Sequence, residues 1–106
     1  MVKRFDVCLV NLDSEISKDA KNTRPCVVVS PDEMSAHLSN VIIAPLSSGT
    51  AKYPTRISTN FLNSERMIVL DQLRTVDKVR LVKKIGEIDK SVQKTILDLL
   101  QEMFAE

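Results

Sequence analysis

The chain has 106 residues, of which 43% are hydrophobic and 27% are charged. We therefore expect one folded domain over residues 1–106 and exclude a disordered chain. No apolar run approaches the ~20 residues that cross a bilayer. The basic N-terminus is not followed by an apolar stretch with a cleavage site, as a secretory signal would be. We therefore expect a cytoplasmic protein without membrane contact. The net charge is +1, but residues 52–85 hold eight basic and three acidic side chains. This basic third suits phosphate contacts, although a solvated surface of mixed charge is the commoner meaning of such a pattern.

The start of the chain predicts two strands separated by a loop. Residues 5–12 carry apolar side chains on both faces, which is typical of a strand that is covered on both sides. Residues 13–23 are polar and aperiodic, and they predict a long exposed loop. The β-branched run over residues 26–30 then predicts a central strand.

A short helix and a third strand are predicted next. Ser30 and Pro31 are residues that start helices, so we expect a helix over residues 32–37 with Ser30 as its cap and Pro31 at its first position. The apolar residues 41–46 predict a third strand, and hydroxyl residues and Gly49 turn the chain out of it.

The second half of the chain predicts three further strands and one helical turn. Residues 55–58 and 66–70 predict short strands joined by a connection that contains Asn and Ser. Asp77 predicts the cap of a helical turn over residues 77–80, and residues 82–88 predict the last strand.

The C-terminus predicts the clearest helix, capped by Asp89. Its apolar residues recur at spacings of three and four. They are Val92, Ile96, Leu99, Leu100, Met103 and Phe104. Five or six short strands and one amphipathic helix predict an α+β, mainly β fold, built as a small curved antiparallel barrel or sandwich with the helix on one side. Because several strands carry apolar side chains on both faces, we expect a dimer.

The counts of Cys, His and Gly exclude several kinds of site. Cys8 and Cys26 lie in apolar strands, where a reduced thiol acts as a small hydrophobe. With His37 as the single histidine, the chain has neither a disulfide framework, nor a zinc ligand set, nor a pair of catalytic histidines. Two glycines make no phosphate-binding loop. We therefore expect no metal and no cofactor, and chemistry that depends on Arg, Ser, Thr, Asp and the backbone.

Three segments, taken in this order, resemble the MazF/PemK/Kid family of toxin endoribonucleases. They are Thr23-Arg24-Pro25 at the exit of the long loop, Pro45-Leu46-Ser47-Ser48 at the end of a strand, and residues 70–77 with the pattern Asp-Gln-x-Arg-Thr-x-Asp. No single segment is specific, but the ordered set spans nearly the whole chain.

The resemblance implies a fold, a reaction and partners. Members of the family fold as SH3-like barrels with added helices. They form homodimers. They cut single-stranded RNA at short sequences without a metal, leaving 2′,3′-cyclic phosphate and 5′-hydroxyl ends. A cognate antitoxin inhibits them, and we expect contact with DNA only through that antitoxin. The expected role is therefore the toxin of a type II toxin–antitoxin system.

The resemblance also assigns catalytic roles to Arg24, Ser47 and Asp71. Arg24 matches the catalytic arginine, and its guanidinium is a rigid fork of donors suited to phosphate oxygens. Ser47 matches a position usually filled by threonine, where a hydroxyl can bind the reacting phosphate or relay a proton. Asp71 matches an aspartate proposed as the general base in one branch of the family. Without the resemblance, these would be a surface arginine, a turn serine and a structural carboxylate.

Further residues are expected to bind RNA, three of them in the loop that the family uses as a flap. The expected RNA-binding residues are Asp19, Lys21, Thr23, Ser48, Gln72 and Arg74. Two features depart from the family pattern: the flap residues 17–22, and Phe5, which stands where a glycine is common. The alternative to an enzyme is a non-catalytic SH3-like binding module, either a gyrase-poison-like protein or a degenerate toxin that only binds its antitoxin.

Overall fold

The computed structural model describes residues 2–12, 23–49 and 52–105. Most of the loop predicted over residues 13–23, including Asp19 and Lys21, lies outside the described residues. Within those ranges, no helix is both long enough and apolar enough to cross a membrane.

In the described ranges, the backbone forms one antiparallel sheet of seven strands and two α-helices. The strands are β1 (Asp6–Asn11), β2 (Thr23–Val28), β3 (Asn40–Ser47), β4 (Arg56–Phe61), β5 (Ser64–Val69), β6 (Arg74–Asp77) and β7 (Leu81–Glu87). The helices are α1 (Asp32–His37) and α2 (Lys90–Phe104), and two 3-10 turns span Leu70–Gln72 and Lys78–Arg80.

Strand β3 organises the sheet, whose order is β4-β5-β3-β2-β1-β7. The first half of β3 pairs with β6, and its last two residues, Leu46 and Ser47, pair with β5. Its other edge pairs with β2, with Cys26 opposite Pro45. Because β2 and β3 are antiparallel, the beginning of β2 lies beside the end of β3, where the candidate site forms.

Two apolar clusters cover the two faces of the sheet. The larger one packs under α2, whose Ile96 is fully buried, and includes Val7 of β1. The smaller one includes Val10 of the same strand. This confirms that β1 is covered on both faces, and it confirms the predicted mainly β fold with an amphipathic C-terminal helix.

The two thiols belong to the smaller cluster. Cys8 and Cys26 are free, buried and directly opposite each other on β1 and β2. Burial is the main cause that raises the pKa of Cys8 to about 11 and that of Cys26 to about 12. Thiols with such pKa values are protonated at neutral pH, so they act as small hydrophobes, as predicted.

The predicted cap of α1 is wrong. The N-cap is Pro31, which makes no side-chain capping bond, and the helix begins at Asp32. The Ser30 hydroxyl instead accepts a hydrogen bond from the backbone N–H of Ile42, at 3.1 Å. Ser30 is thus used to join the end of β2 to β3, a contact between distant segments that outweighs its local preference for capping.

Strands β4 and β5 form a longer hairpin than predicted. Leu62 and Asn63, with φ values of 50° and 63°, make a two-residue turn between Phe61 and Ser64. Positive φ at both positions is typical of a type I′ turn, whose twist matches that of the paired strands. The turn therefore lets both strands continue up to it, instead of stopping at a looser connection.

Two other features were absent from the prediction. Residues 71–76 had no predicted structure, yet β6 (Arg74–Asp77) forms there and pairs with β3. Phe5, the residue that replaces a family glycine, has φ of 74° and is nearly buried. This backbone conformation favours glycine, so packing of the Phe5 ring offsets its strain.

Candidate active site

A groove of about 380 Å³ lies where the beginning of β2 meets the end of β3. Its lining combines two arginines, two serines and apolar or proline side chains, and it includes no acidic residue from the described ranges. The lining residues are Leu12, Arg24, Pro25, Pro45, Leu46, Ser47, Ser48 and Arg66. The structure therefore brings three predicted site residues, Arg24, Ser47 and Ser48, into one place.

Arg24 presents an exposed guanidinium to this groove. Its backbone is fixed by pairing with Val10 in the sheet, and the following Pro25 restricts it to an extended conformation. Its Nη1 donates a hydrogen bond to the carbonyl of Thr23 at 3.1 Å. Within the described part of the chain Arg24 makes no ion pair. Its remaining N–H donors can therefore bind an anion that enters the groove.

Ser47 is the last residue of β3 and faces the same groove. Its Oγ accepts a hydrogen bond from the backbone N–H of Gly49 at 3.1 Å. Because the oxygen is used as an acceptor, the hydroxyl proton remains available for donation. Ser47 can thus donate a hydrogen bond or a proton to an anion that enters the groove beside Arg24.

Arg66 is a charged lining residue that was not predicted from the sequence. It lies on β5 one residue before Met67, which pairs with Ser47. Its Nε is buried and has no hydrogen-bond partner among the described residues. The only signal in the sequence was its place in the basic third of the chain, because its approach to Arg24 depends on the pairing of β5 with β3.

Asp71 does not line this groove. Its Oδ1 accepts hydrogen bonds from the Thr55 hydroxyl at 2.9 Å and from Arg56 Nε at 3.3 Å, and Oδ2 lies 3.5 Å from Arg56 Nη2. The Arg56 guanidinium also stacks on the Tyr53 ring, 4.5 Å from its centroid. The hydrogen bond from Arg56, followed by that from Thr55, holds the pKa of Asp71 below its usual value. A carboxylate with a lowered pKa is a weaker proton acceptor.

The other predicted RNA-binding residues lie in different environments. Thr23 is buried at the beginning of β2. Gln72 is exposed in the 3-10 turn after β5. Arg74 is exposed on β6, opposite Ile43, and its charge partly offsets the effect of burial on the pKa of Cys26. Of these three residues, none lines the groove with Arg24.

Metal ligands do not converge in the described ranges, where no three His, Cys, Asp or Glu side chains form a group that could hold an ion.

Comparison with known proteins identifies the family. A sequence model of the PemK-like, MazF-like toxins of type II toxin–antitoxin systems matches residues 3–104. The chain belongs to that family. The match spans almost all of the chain, so the toxin family accounts for both the sheet and the C-terminal helix.

Named relatives of this toxin chain support the assignment. Endoribonuclease MazF of Staphylococcus epidermidis is 31% identical, over 86% of this chain and 81% of that protein. Endoribonuclease EndoA of Bacillus subtilis is 28% identical, over 95% of this chain and 92% of that protein. A solved endoribonuclease in complex with its cognate antitoxin, from a mycobacterial species, has a TM-score of 0.81 and 18% identity, over 96% of this chain and 93% of that one. At this identity the structural likeness shows the fold alone.

Proposed function

We propose that this chain is the toxin of a type II toxin–antitoxin system and an endoribonuclease that cleaves single-stranded RNA in the cytoplasm without a metal. The observation that carries the proposal is the groove in which Arg24 and Ser47 lie side by side, in a chain related to two endoribonucleases. A protein that only binds an antitoxin needs no unpaired guanidinium beside a hydroxyl.

The proposed reaction is attack by the ribose 2′-oxygen on the adjacent phosphorus. The bond from O2′ to phosphorus forms, the bond from phosphorus to O5′ breaks, and the products are a 2′,3′-cyclic phosphate and a 5′-hydroxyl. One proton leaves the 2′-hydroxyl and one is added to the departing O5′. Negative charge builds up on the non-bridging phosphate oxygens in between, so a fixed cation there lowers the barrier.

Arg24 supplies that cation in our proposal, and Ser47 supplies the proton donor or hydrogen-bond donor. The guanidinium fork matches two phosphate oxygens, and it stays protonated at any physiological pH. Ser47, with its oxygen already accepting from Gly49, is oriented as a donor. We assign Asp71 mainly to holding Arg56 and Thr55, because its hydrogen bonds engage both carboxylate oxygens. Replacement of Asp71 by Asn tests the base role that the family resemblance implies.

We also propose that the chain is a homodimer and that a cognate antitoxin is its protein partner. A structurally similar endoribonuclease was solved with its cognate antitoxin. The expected mode of binding is an extended antitoxin peptide that lies along the groove of the dimer.

The test is digestion of mixed single-stranded RNA in EDTA, followed by chemical mapping of the ends. We expect cuts that leave 2′,3′-cyclic phosphate and 5′-hydroxyl ends. The Arg24→Ala protein, prepared in the same way, should cut at least about 100-fold more slowly, which excludes a contaminating nuclease. Intact RNA after incubation with the wild-type protein would favour the non-catalytic binding module.

A further inference from the structure

The side chain of Arg66 extends from the face of the β4–β5 hairpin that covers the core. Arg66 pairs with Thr59, which is 6% exposed, and its neighbours on the same face of the hairpin are the buried Ile57 and Ile68. The side chain therefore begins beside the apolar core and ends at the groove that Arg24 lines. A long cationic side chain in such a place packs its stem and carries its charge to the opening.

Arg66 is half-buried, and its Nε–H lacks the hydrogen-bond partner that a buried N–H normally has. Its Nε is enclosed without an acceptor, and it makes no ion pair within the described ranges. The adjacent Glu65 is exposed and accepts a hydrogen bond from Ser58, and side chains of successive strand residues point to opposite faces. Native proteins rarely bury an N–H of a charged group without a hydrogen-bond acceptor. We therefore expect the acceptor for this N–H to come from a ligand.

Two positive charges that line one groove create a potential that attracts an anion. Arg24 and Arg66 line the same space of about 380 Å³, and none of the described lining residues is acidic. A phosphodiester supplies negative charge and a pair of oxygens that fit the guanidinium fork. A small turn of the Arg66 side chain toward the groove would give Nε–H such an oxygen as its acceptor.

We propose that Arg66 is an RNA-binding residue that holds a backbone phosphate of the substrate in the groove it shares with Arg24. The proposal rests on the proposed function, since it names a second contact of that substrate. Arg24 acts on charge that develops in the transition state, whereas Arg66 binds a phosphate whose charge is the same before and during the reaction. Loss of Arg66 therefore raises KM and leaves kcat nearly unchanged, and loss of Arg24 lowers kcat.

The experiment measures binding of single-stranded RNA in which every 2′-hydroxyl is replaced by fluorine, over a series of KCl concentrations. This probe keeps the phosphates but has no nucleophile, so binding is read without cleavage. Arg66→Met keeps the apolar stem and removes the charge. We expect it to weaken binding about ten-fold at low salt and to reduce the slope of log K against log salt by about 0.7, the value for one phosphate contact on a single strand.

Three variants control this measurement. Lys94→Met removes the same charge from the exposed face of α2, outside the groove, so its slope should equal that of the wild type. Arg66→Lys should keep the slope but lose part of the affinity, because an ammonium lacks the fork. Arg66→Gln replaces Arg66→Met if thermal unfolding shows that the latter is not folded.

The outcomes separate this proposal from the proposed function. An unchanged slope and affinity in folded Arg66→Met or Arg66→Gln would overturn the role of Arg66, even if the wild type cleaves RNA. If Lys94→Met lost as much affinity and slope as Arg66→Met, the role of Arg66 would also be overturned. Loss of any positive charge would then have the same effect, wherever it lies. Conversely, a wild-type protein that binds the fluorinated probe through Arg66 but leaves unmodified RNA intact would retain this inference and refute the nuclease.

Discussion

The molecule holds arginines in two contrasting ways. Near the 3-10 turn after β5, Arg56 lies 3.3 Å from the Asp71 carboxylate and stacks on the Tyr53 ring. In the groove between β2 and β3, Arg24 and Arg66 face the same space, and no described acid pairs with either. The first arginine has its counter-charge within the fold, whereas the other two have none in the described ranges.

We infer from this difference that Arg56 serves the fold and that Arg24 and Arg66 bind a ligand. A guanidinium that is paired and stacked has little left to offer an incoming phosphate, because breaking its contacts offsets the new ones. A guanidinium without a carboxylate keeps its donors and its charge for the ligand. Membership in a family motif does not tell these two kinds of group apart. Asp71 belongs to the motif, and yet it forms the ion pair with Arg56.

Apart from loss of Arg24 itself, the largest expected effect comes from giving the groove the carboxylate that it lacks. Ser48→Asp places an acid among the lining residues, where it competes with RNA for Arg24 and Arg66 and repels phosphate. We expect RNA cleavage to fall by about 100-fold, which is about 2.7 kcal/mol. The measurement is kcat/KM on a defined single-stranded RNA.

Ser48→Asn controls for the size of the new side chain in this comparison. It should retain most of the activity, because it adds no charge. A Ser48→Asp protein that is as active as Ser48→Asn would show that the absence of an acid from the groove is irrelevant.

The next effect concerns the hydroxyl in the groove. Ser47→Ala removes the donor and leaves the N–H of Gly49 without its acceptor, so we expect a loss of about ten-fold in cleavage rate, equivalent to one hydrogen bond to a charged group. Ser47→Thr restores the hydroxyl and should recover the rate. If single-turnover rates show no difference between Ser47→Ala and the wild type, the hydroxyl takes no part in the reaction.

Removing the acid from the paired group should affect cleavage less. Loss of a general base lowers rates by about 10²–10⁴-fold. For Asp71→Asn we expect a loss of no more than about three-fold at neutral pH, because the carboxylate mainly anchors Arg56 and Thr55. A loss of 10²-fold or more, as for a lost base, together with disappearance of the acidic limb of the pH–rate profile, would instead establish Asp71 as the base.

The smallest effect is on the pH dependence of stability. Because the pKa of Asp71 is lowered in the folded chain, its ionised form favours folding at pH values above the unfolded value of 3.8, and this contribution is lost as the pH falls through the folded pKa. Between about pH 5 and pH 3 the wild-type Tm should therefore fall slightly more than that of Asp71→Asn, and the difference is small because the pair is exposed. Parallel Tm curves for the two proteins would show that the pair does not contribute.

Elements with a local signal were predictable from the sequence. The structure contains the helix α2 that the apolar spacing predicted and the strand β2 that the β-branched run predicted. It also contains the cap at Asp77, whose carboxylate accepts a hydrogen bond from the Val79 N–H at 3.1 Å. Each of these signals lies within a few residues of the feature that it predicts. The placement of Arg24 beside Ser47 followed from the family resemblance.

Features that depend on long-range pairing were not predictable. Arg66 reaches the groove only because β5 pairs with the end of β3, and Asp71 meets Arg56, 15 residues away, only through the β4–β5 hairpin. Strand β6 is short and mostly exposed, so it carries no pattern of its own and forms through its pairing with β3.

The central claim is that the unpaired guanidinium of Arg24 stabilises the charge of the breaking phosphodiester, whereas paired arginines do not. The most direct test compares single-turnover cleavage of one single-stranded RNA by Arg24→Ala and by Arg56→Ala, both shown to be folded. We predict that the first variant loses 10²-fold or more in rate and that the second stays within about three-fold of the wild type. Equal losses in both variants, or an Arg24→Ala protein that cleaves at the wild-type rate, would contradict the claim.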